Sequence, residues 1–321
     1  MENSQFMHIK NTVVLGGSGF VGSAIVAKLV SAGYQVTVLS RRLDHAKHLS
    51  LLPGVTLKVC NVFDAQALRS ALHGADAVIN LLGILHQSAK TSFTQVHADL
   101  PVQLAKLCQD LGIKRLLHMS SLCAATDAPS LYLRSKGQAE VALAGYAPGL
   151  AITVFRPSII FGRADQFINL FAGLIKHLPL VVLVKPNAKF QPVWVEDVAS
   201  CFVASLNEPG SFGLSYDLVG PKVYTFRALL EAIMQTLGVH KPILGLNDGL
   251  SYAQAFLMEC LPIKLMSRDN IRSMQQDSVS DQAFPEWLDL RPSALETIMP
   301  QYLIDQTPRG AYDRFRRKAA R

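Results

Sequence analysis

The chain of 321 residues has no unbroken apolar run of the roughly 18 residues that a membrane-spanning helix needs. Its most apolar later stretch, 170–184, is interrupted by Lys176, His177 and Pro179. The polar first ten residues, which include Glu2, lack the basic start and apolar core of a signal peptide. Cysteine is scarce. Cys60, Cys108, Cys123, Cys201 and Cys260 are odd in number, widely spaced and without a CxxC pair. That excludes a disulfide framework or zinc ribbon and points to a reducing, cytoplasmic setting. His45 and His48 stand three apart with no clustered cysteines or acids, so no metal site is expected. Charge is also low, at 17% of residues against 50% apolar, which excludes wholesale disorder and leaves ample material for a core.

What charge there is sums to +7, a value that invites a polyanionic partner. Residues 309–321 alone hold Arg309, Arg314, Arg316, Arg317, Lys318 and Arg321 against Asp313, so a short basic tail carries +5 of it. The body is nearly neutral and shows no DNA-reading motif, so no nucleic acid partner is expected. The tail, with Tyr312 and Phe315 interleaved, has the composition of a segment that docks on anionic lipid or of a disordered, solubilising end.

The first 160 residues alternate between two periods. β-Branched, near-continuous apolar runs occur at 12–15, 35–39, 55–59, 76–81, 115–119 and 151–155. Between them, helix-like spacing appears at 21–30, 65–72, 96–111 and 135–144. Strands apolar along their whole length belong to a parallel sheet covered on both faces, and the alternation predicts a right-handed, doubly wound α/β sheet. After about residue 160 the alternation dissolves into helical stretches at 167–178, 195–206 and 225–237, separated by Pro/Gly loops. We therefore expect a dinucleotide-binding domain over 1–160, a smaller mixed lobe over 161–308 lying across the open edge of the sheet, and the tail over 309–321. Residues 250–265 add Tyr252, Phe256, Leu257, Met258 and Leu261 around Pro262, as lobe core or as an apolar docking surface.

The strongest motif is Gly16-Gly17-Ser18-Gly19-Phe20-Val21-Gly22, between the first strand and the first helix. Glycines there permit a tight turn and bare amide N–H groups, and the helix N-terminus favours a pyrophosphate. An NAD site usually carries an acid at the end of the second strand, to accept bonds from the ribose hydroxyls. This strand ends Ser40-Arg41-Arg42, with no acid before Asp44. A guanidinium fork binds a 2′-phosphate that a carboxylate would repel, so NADP(H) is expected over NAD(H). Asn61 and Val62 end the third strand at the same edge, and Leu81, Leu82 and Gly83 follow the fourth, where Gly83 lets a cofactor approach the backbone.

Tyr132 and Lys136 stand four apart, one turn apart on one helix face. A phenol is a poor base at neutral pH; a nearby ammonium stabilises the phenolate and lowers its pKa. The pair then suits acid/base work on a carbonyl or alcohol oxygen while a hydride moves. Ser120 and Ser121, ending the fifth strand, offer a hydroxyl to the same oxygen.

The glycine loop, Ser120-Ser121, Tyr132/Lys136 and Arg156-Pro157-Ser158 resemble the short-chain dehydrogenase/reductase superfamily in its extended and atypical branches. The segments 132–136, 155–163 and 190–199 are more closely similar to the subfamily of the nucleotide-binding accessory subunit of mitochondrial respiratory complex I and its bacterial relatives. The resemblance covers nearly the whole chain to about residue 300. It implies a Rossmann-like sheet with Tyr132 as acid/base, and Lys136 as its partner that also touches the nicotinamide ribose. It also places Pro157 and Ser158 along the nicotinamide end of the site. Trp194, Glu196 and Asp197 match a strand-to-helix junction of structural importance. Two positions depart from the pattern: Leu122 stands where many members have Ser or Thr, and His97 where an Asn helps hold a relay water.

Three functions follow as expectations. The first is an NADP(H)-dependent oxidoreductase acting on the carbonyl or alcohol of a small apolar molecule, quinone-related ones included. The second is an NADPH-binding structural or assembly protein of a respiratory complex, peripheral at the inner face of the membrane through the C-terminal lobe and the tail. The third is an epimerase or dehydratase that retains its cofactor.

Overall fold

In a computed structural model the described residues are 9–88, 91–147, 149–246, 249, 251–252, 267–282 and 284–304. In chain order the first elements are β1 (Asn11–Leu15), α1 (Phe20–Ser31), β2 (Gln35–Ser40), β3 (Val55–Val59), α2 (Ala65–Leu72), β4 (Ala77–Asn80), α3 (Leu100–Leu111), β5 (Arg115–Met119), α4 (Leu131–Ala144) and β6 (Ala151–Pro157). Then come β7 (Ile160–Phe161), α5 (Phe167–His177), β8 (Val181–Leu183), β9 (Lys189–Phe190), β10 (Val193–Trp194), α6 (Val195–Ser205), β11 (Ser215–Leu218), β12 (Tyr224–Thr225), α7 (Phe226–Leu237) and β13 (Ile243–Gly245). Two further helices, Arg268–Ser273 and Leu295–Leu303, follow.

The chain folds as two compact units. The first holds Met1–Pro157, Glu196–Leu218 and Gln282–Leu290; the second holds Ser158–Val195, Val219–Asp281 and Arg291–Arg321. The sequence change near residue 160 thus falls close to the first crossing, after Pro157. The chain later returns twice to the first unit.

The first unit is built on one seven-stranded sheet in the order β11-β6-β5-β4-β1-β2-β3, and every pair in it is parallel. This is the doubly wound arrangement, whose strand order reverses between β1 and β4, where the ligands of such sheets lie. Val13, Leu15, Val78 and Leu116 from the sheet pack with Leu68, Leu72, Leu104 and Cys108 from α2 and α3 into one buried core. The edge strand β3 departs from the expected double coverage: Val59 is 60% exposed, because a terminal strand lacks a neighbour on one side and helices on both faces.

Arg115 is the largest fully buried side chain that carries a charge, at 0% exposure. Its guanidinium donates to the carbonyl oxygens of Ala151 (2.9 Å) and Ser205 (2.8 Å) and to the hydroxyls of Thr153 (2.7 Å) and Ser211 (2.8 Å). It also lies 4.6 Å from the centre of the Phe212 ring. Burial lowers its pKa to about 9. One side chain therefore ties β5, β6, α6 and the loop before β11 together.

In the second unit, α5, α7 and the helix Leu295–Leu303 enclose an apolar core with Phe161, Phe190 and Phe226. Three two-stranded ladders, β7 with β10, β8 with β13 and β9 with β12, surround it. Asp165 is buried at 4% exposure, and accepts bonds from the N–H groups of Gly162, Ile168 and Asn169, which starts α5. Within 250–265 only Ser251 and Tyr252 belong to the described residues, and the tail 309–321 lies outside them. Among the described residues, no helix is long and apolar enough to cross a membrane, and no group of three metal-ligating side chains occurs.

Candidate functional site

The glycine loop turns between β1 and α1 at the point where strand order reverses. Gly16 has φ of +79°, a conformation that favours glycine, and an added Cβ there would sit 3.1 Å from the Leu81 carbonyl carbon. The turns after β1 and β4 therefore touch. A Cβ on Gly22 would stand 2.2 Å from the Gly16 oxygen and 2.6 Å from the Gly17 Cα, so α1 packs directly on its own entry loop. Gly19 caps α1 without a side-chain bond, and Ser18 is half-buried beside it. The first-turn N–H groups of Phe20 and Val21 then present the positive end of the helix to an anion. This cradle of bare backbone fits a dinucleotide pyrophosphate.

At the end of β2, Ser40 donates its hydroxyl to the Arg42 carbonyl oxygen at 2.8 Å and closes the turn. Arg41 and Arg42 are both exposed. Asn61 accepts from the Phe63 N–H at 3.2 Å, so its carbonyl group shapes the turn after β3, and Val62 is buried beneath it.

The proton-transfer candidates come together below this edge. Ser130 caps α4 by accepting from the Leu133 N–H at 3.1 Å, which starts the helix one residue before Tyr132. The Tyr132 phenol bonds the Ser121 side chain. Ser121, not Ser120, is thus the serine at the phenol. Ser120 is 3% exposed, and its hydroxyl has no hydrogen-bond partner among the described residues. The Lys136 Nζ donates to the Met119 carbonyl oxygen at 2.8 Å, and lies 3.7 Å from where a Cβ on Gly83 would stand. Burial lowers the Lys136 pKa to about 8, opposed by the charge of Glu140. Burial also holds the Tyr132 phenol above its ordinary value, opposed by the bond to Ser121. The lowering expected from the lysine is therefore not seen in this state.

His97 was a visible departure in the sequence, but its role was not. A wide turn of π type, Thr94–Asp99, precedes α3 and turns the ring inward, fully buried. Nε2 accepts the Ile84 N–H at 2.9 Å. Nδ1 lies 2.9 Å from Ser135 Oγ, whose own proton goes to the Tyr132 carbonyl oxygen at 2.7 Å. These partners leave one tautomer, with the proton on Nδ1. The ring stacks on Phe93 at 5.5 Å and meets the Tyr132 ring edge-on at 5.3 Å. Burial, aided by the Lys136 charge, lowers its pKa to about 3.

Asn80 and His118 were missed from sequence because each sits inside an apolar strand pattern. Asn80 Oδ1 accepts the Leu82 N–H at 3.2 Å, so its amide group donates to His118 Nδ1 at 3.2 Å. The pair fixes the turn 81–83 from below. Pro157 is buried, and its carbonyl oxygen accepts the Leu122 N–H at 3.0 Å. Ser158 falls in the second unit, where its hydroxyl donates to the Ser278 carbonyl oxygen at 2.8 Å and accepts from the Gln191 N–H at 3.2 Å.

Fold and cradle define a dinucleotide-binding α/β protein. Residues 12–215 match the model of the NAD dependent epimerase/dehydratase family, and the chain belongs to that family. It is 31% identical over 315 residues to NADH dehydrogenase [ubiquinone] 1 alpha subcomplex subunit 9, mitochondrial, of Arabidopsis thaliana, covering 92% of this chain and 78% of that one. It is 25% identical over 236 residues to the ceramide reductase of Caulobacter vibrioides, covering 73% of each. The fold is shared with the UDP-glucose 4-epimerase of Thermus thermophilus in complex with NAD, with a TM-score of 0.62 at 19% identity, covering 83% of this chain and 99% of the other.

Proposed function

We propose that this chain is an NADP(H)-dependent oxidoreductase that reduces the carbonyl of an apolar molecule, or oxidises the matching alcohol. The observation that carries it is Tyr132, bonded to Ser121, with the buried Lys136 on the same helix face. A bound nicotinamide supplies or accepts the hydride. The glycine loop would hold its pyrophosphate, and the exposed Arg41 and Arg42 favour a 2′-phosphate on the adenosine ribose. The turn 81–83, with Pro157 and the Lys136 ammonium, would border the nicotinamide ribose. The likeness to a ceramide reductase supports a long-chain substrate.

The raised phenol pKa means that Tyr132 holds its proton at neutral pH, ready to give it to the oxygen of a carbonyl whose carbon takes up a hydride. Ser121 orients the phenol. The Lys136 ammonium stabilises the phenolate left behind, and it stays charged below its pKa of about 8. Turnover should therefore fall as pH rises through about 8. In Tyr132→Phe, NADPH consumption with a long-chain ketone should drop by about a hundredfold or more, with NADPH affinity kept. Equal rates for Tyr132→Phe and the natural chain would sink the mechanism.

A second reading is favoured by the likeness to a complex I subunit: a structural or assembly protein in which NADPH stabilises the fold, peripheral at the inner face of a membrane. It predicts a higher melting temperature with NADPH but no NADPH oxidation in extract. Epimerase or dehydratase chemistry, drawn from the family, would instead show a nicotinamide that stays bound through purification and no net consumption.

A further inference from the structure

The segment after β2 carries an acid that the cofactor reading leaves unused. Arg42 meets Asp44 at two points, Nε to Oδ1 at 3.3 Å and Nη2 to Oδ2 at 2.6 Å. Both groups are largely exposed. The Arg42 guanidinium holds the Asp44 carboxyl below the usual carboxylate range. Arg41, also exposed, makes no hydrogen bond or ion pair with another described residue. The Ser40 hydroxyl is spent on the turn, since it donates to the Arg42 carbonyl oxygen.

The segment is held in place rather than trailing in solvent. The short 3₁₀ turn Leu43–Leu49 buries Ala46 and Leu49. His48 Nε2 lies 2.9 Å from Ser23 Oγ, and Ser23 gives its own proton to the Gly19 carbonyl oxygen at 2.8 Å. The imidazole N–H is therefore the donor, and it hooks the turn onto the first helix next to the glycine loop. Asp44 is thereby fixed at the same sheet edge as the pyrophosphate cradle.

A carboxylate offers a guanidinium the same two-oxygen face as a phosphate. Resting on the NADP(H) reading above, we propose that Asp44 is a built-in competitor of the cofactor's 2′-phosphate. It occupies the fork of Arg42, leaves Arg41 as the principal phosphate ligand, and so narrows the preference for NADP(H) over NAD(H). The anion must draw Arg42 away from Asp44, or bind beside a carboxylate that repels it. Neither cost falls on a cofactor with a free 2′-hydroxyl.

The test is equilibrium titration of NADPH and NADH, followed by nicotinamide fluorescence, on the full chain and on Asp44→Asn, Arg41→Ala, Arg42→Ala and the Asp44→Asn/Arg42→Ala double variant. Asp44→Asn should tighten NADPH about three- to fivefold, the scale of one exposed charge pair, and leave NADH unchanged. The gain should shrink in the Arg42→Ala background and with added salt. Arg41→Ala should weaken NADPH about tenfold, as expected for loss of a charge-assisted phosphate bond. Unchanged NADPH affinity in Asp44→Asn, or an equal gain for both cofactors, overturns the inference. If the natural chain prefers NADPH and Arg41→Ala abolishes the preference while Asp44→Asn is silent, only this inference fails. If NADH binds as tightly as NADPH and Asp44→Asn weakens NADH, Asp44 is a ribose ligand and the NADP(H) reading fails with it.

Discussion

His97 has given up its basicity to its surroundings. Its folded-state pKa of about 3 lies far below the ordinary 6.5, so the unfolded chain binds a proton there that the folded chain refuses. Stability should be fully present above pH 6.5 and be lost as pH falls from 6.5 towards 3. The buried His118 is shifted in the same direction, by burial first and by the charges of Lys136 and His97 after it. Together they make acid sensitivity a property of the site itself, with His97 alone contributing on the order of several kcal/mol. Denaturant unfolding between pH 7 and 4 should show this steep loss, and His97→Asn should flatten it. An unchanged pH slope in that variant would mean that other groups govern the acid response. The sequence pointed to position 97 as unusual, because a histidine stood where a resembling family has Asn. Its tautomer comes from Ile84 and Ser135, and its neutrality from burial and the Lys136 charge, surroundings that only a folded chain assembles.

At the level of elements, the glycine loop was legible because its chemistry is local: three glycines between an apolar strand and a helix, with a fourth in the first turn of that helix, leave few other structures. How tightly it is built was not. The Gly22 hydrogen faces backbone atoms, which cannot swing aside as a side-chain end can. Gly22→Ala should cost about 1–3 kcal/mol of stability through overpacking and weaken cofactor binding, as read by denaturant unfolding and NADPH titration. Gly173 in α5 is the control. A Cβ there meets nothing within 4 Å, so Gly173→Ala should be neutral or stabilise by about 0.5–1 kcal/mol. Equal losses in both variants would show that the close packing at Gly22 has no special weight. The start of α4 was placed too late, at 135 against the observed Leu131. Apolar spacing is weak in its first turn, and the Ser130 cap supplies the start signal instead. The strand β11 has no counterpart in the sequence pattern. Ser215-Tyr216-Asp217-Leu218 has little strand pattern of its own, and is recruited by pairing with β6.

For the molecule as a whole, a nicotinamide cofactor that binds only the native state must stabilise it by mass action. At a free concentration about a hundred times its Kd the gain is about 2.7 kcal/mol, visible as a raised melting temperature for NADPH, and the proposed NADP(H) preference predicts a smaller rise for NADH at equal concentration. The charge distribution makes a separate claim. With +5 of the +7 in residues 309–321, deletion of that segment should abolish sedimentation with anionic vesicles and leave NADPH affinity unaltered. Lipid binding that survives the deletion would direct attention to 250–265.

The sequence by itself determined the parallel sheet, the glycine cradle and the spacing of Tyr132 to Lys136, because each depends on residues close together in the chain. Only the tertiary structure decided which serine meets the phenol, which histidines are neutral, and which guanidinium an aspartate already occupies. It also decided where the chain returns from one unit to the other. Burial, partner geometry and strand pairing act between residues far apart in sequence, and desolvation has no magnitude until the fold has excluded the water.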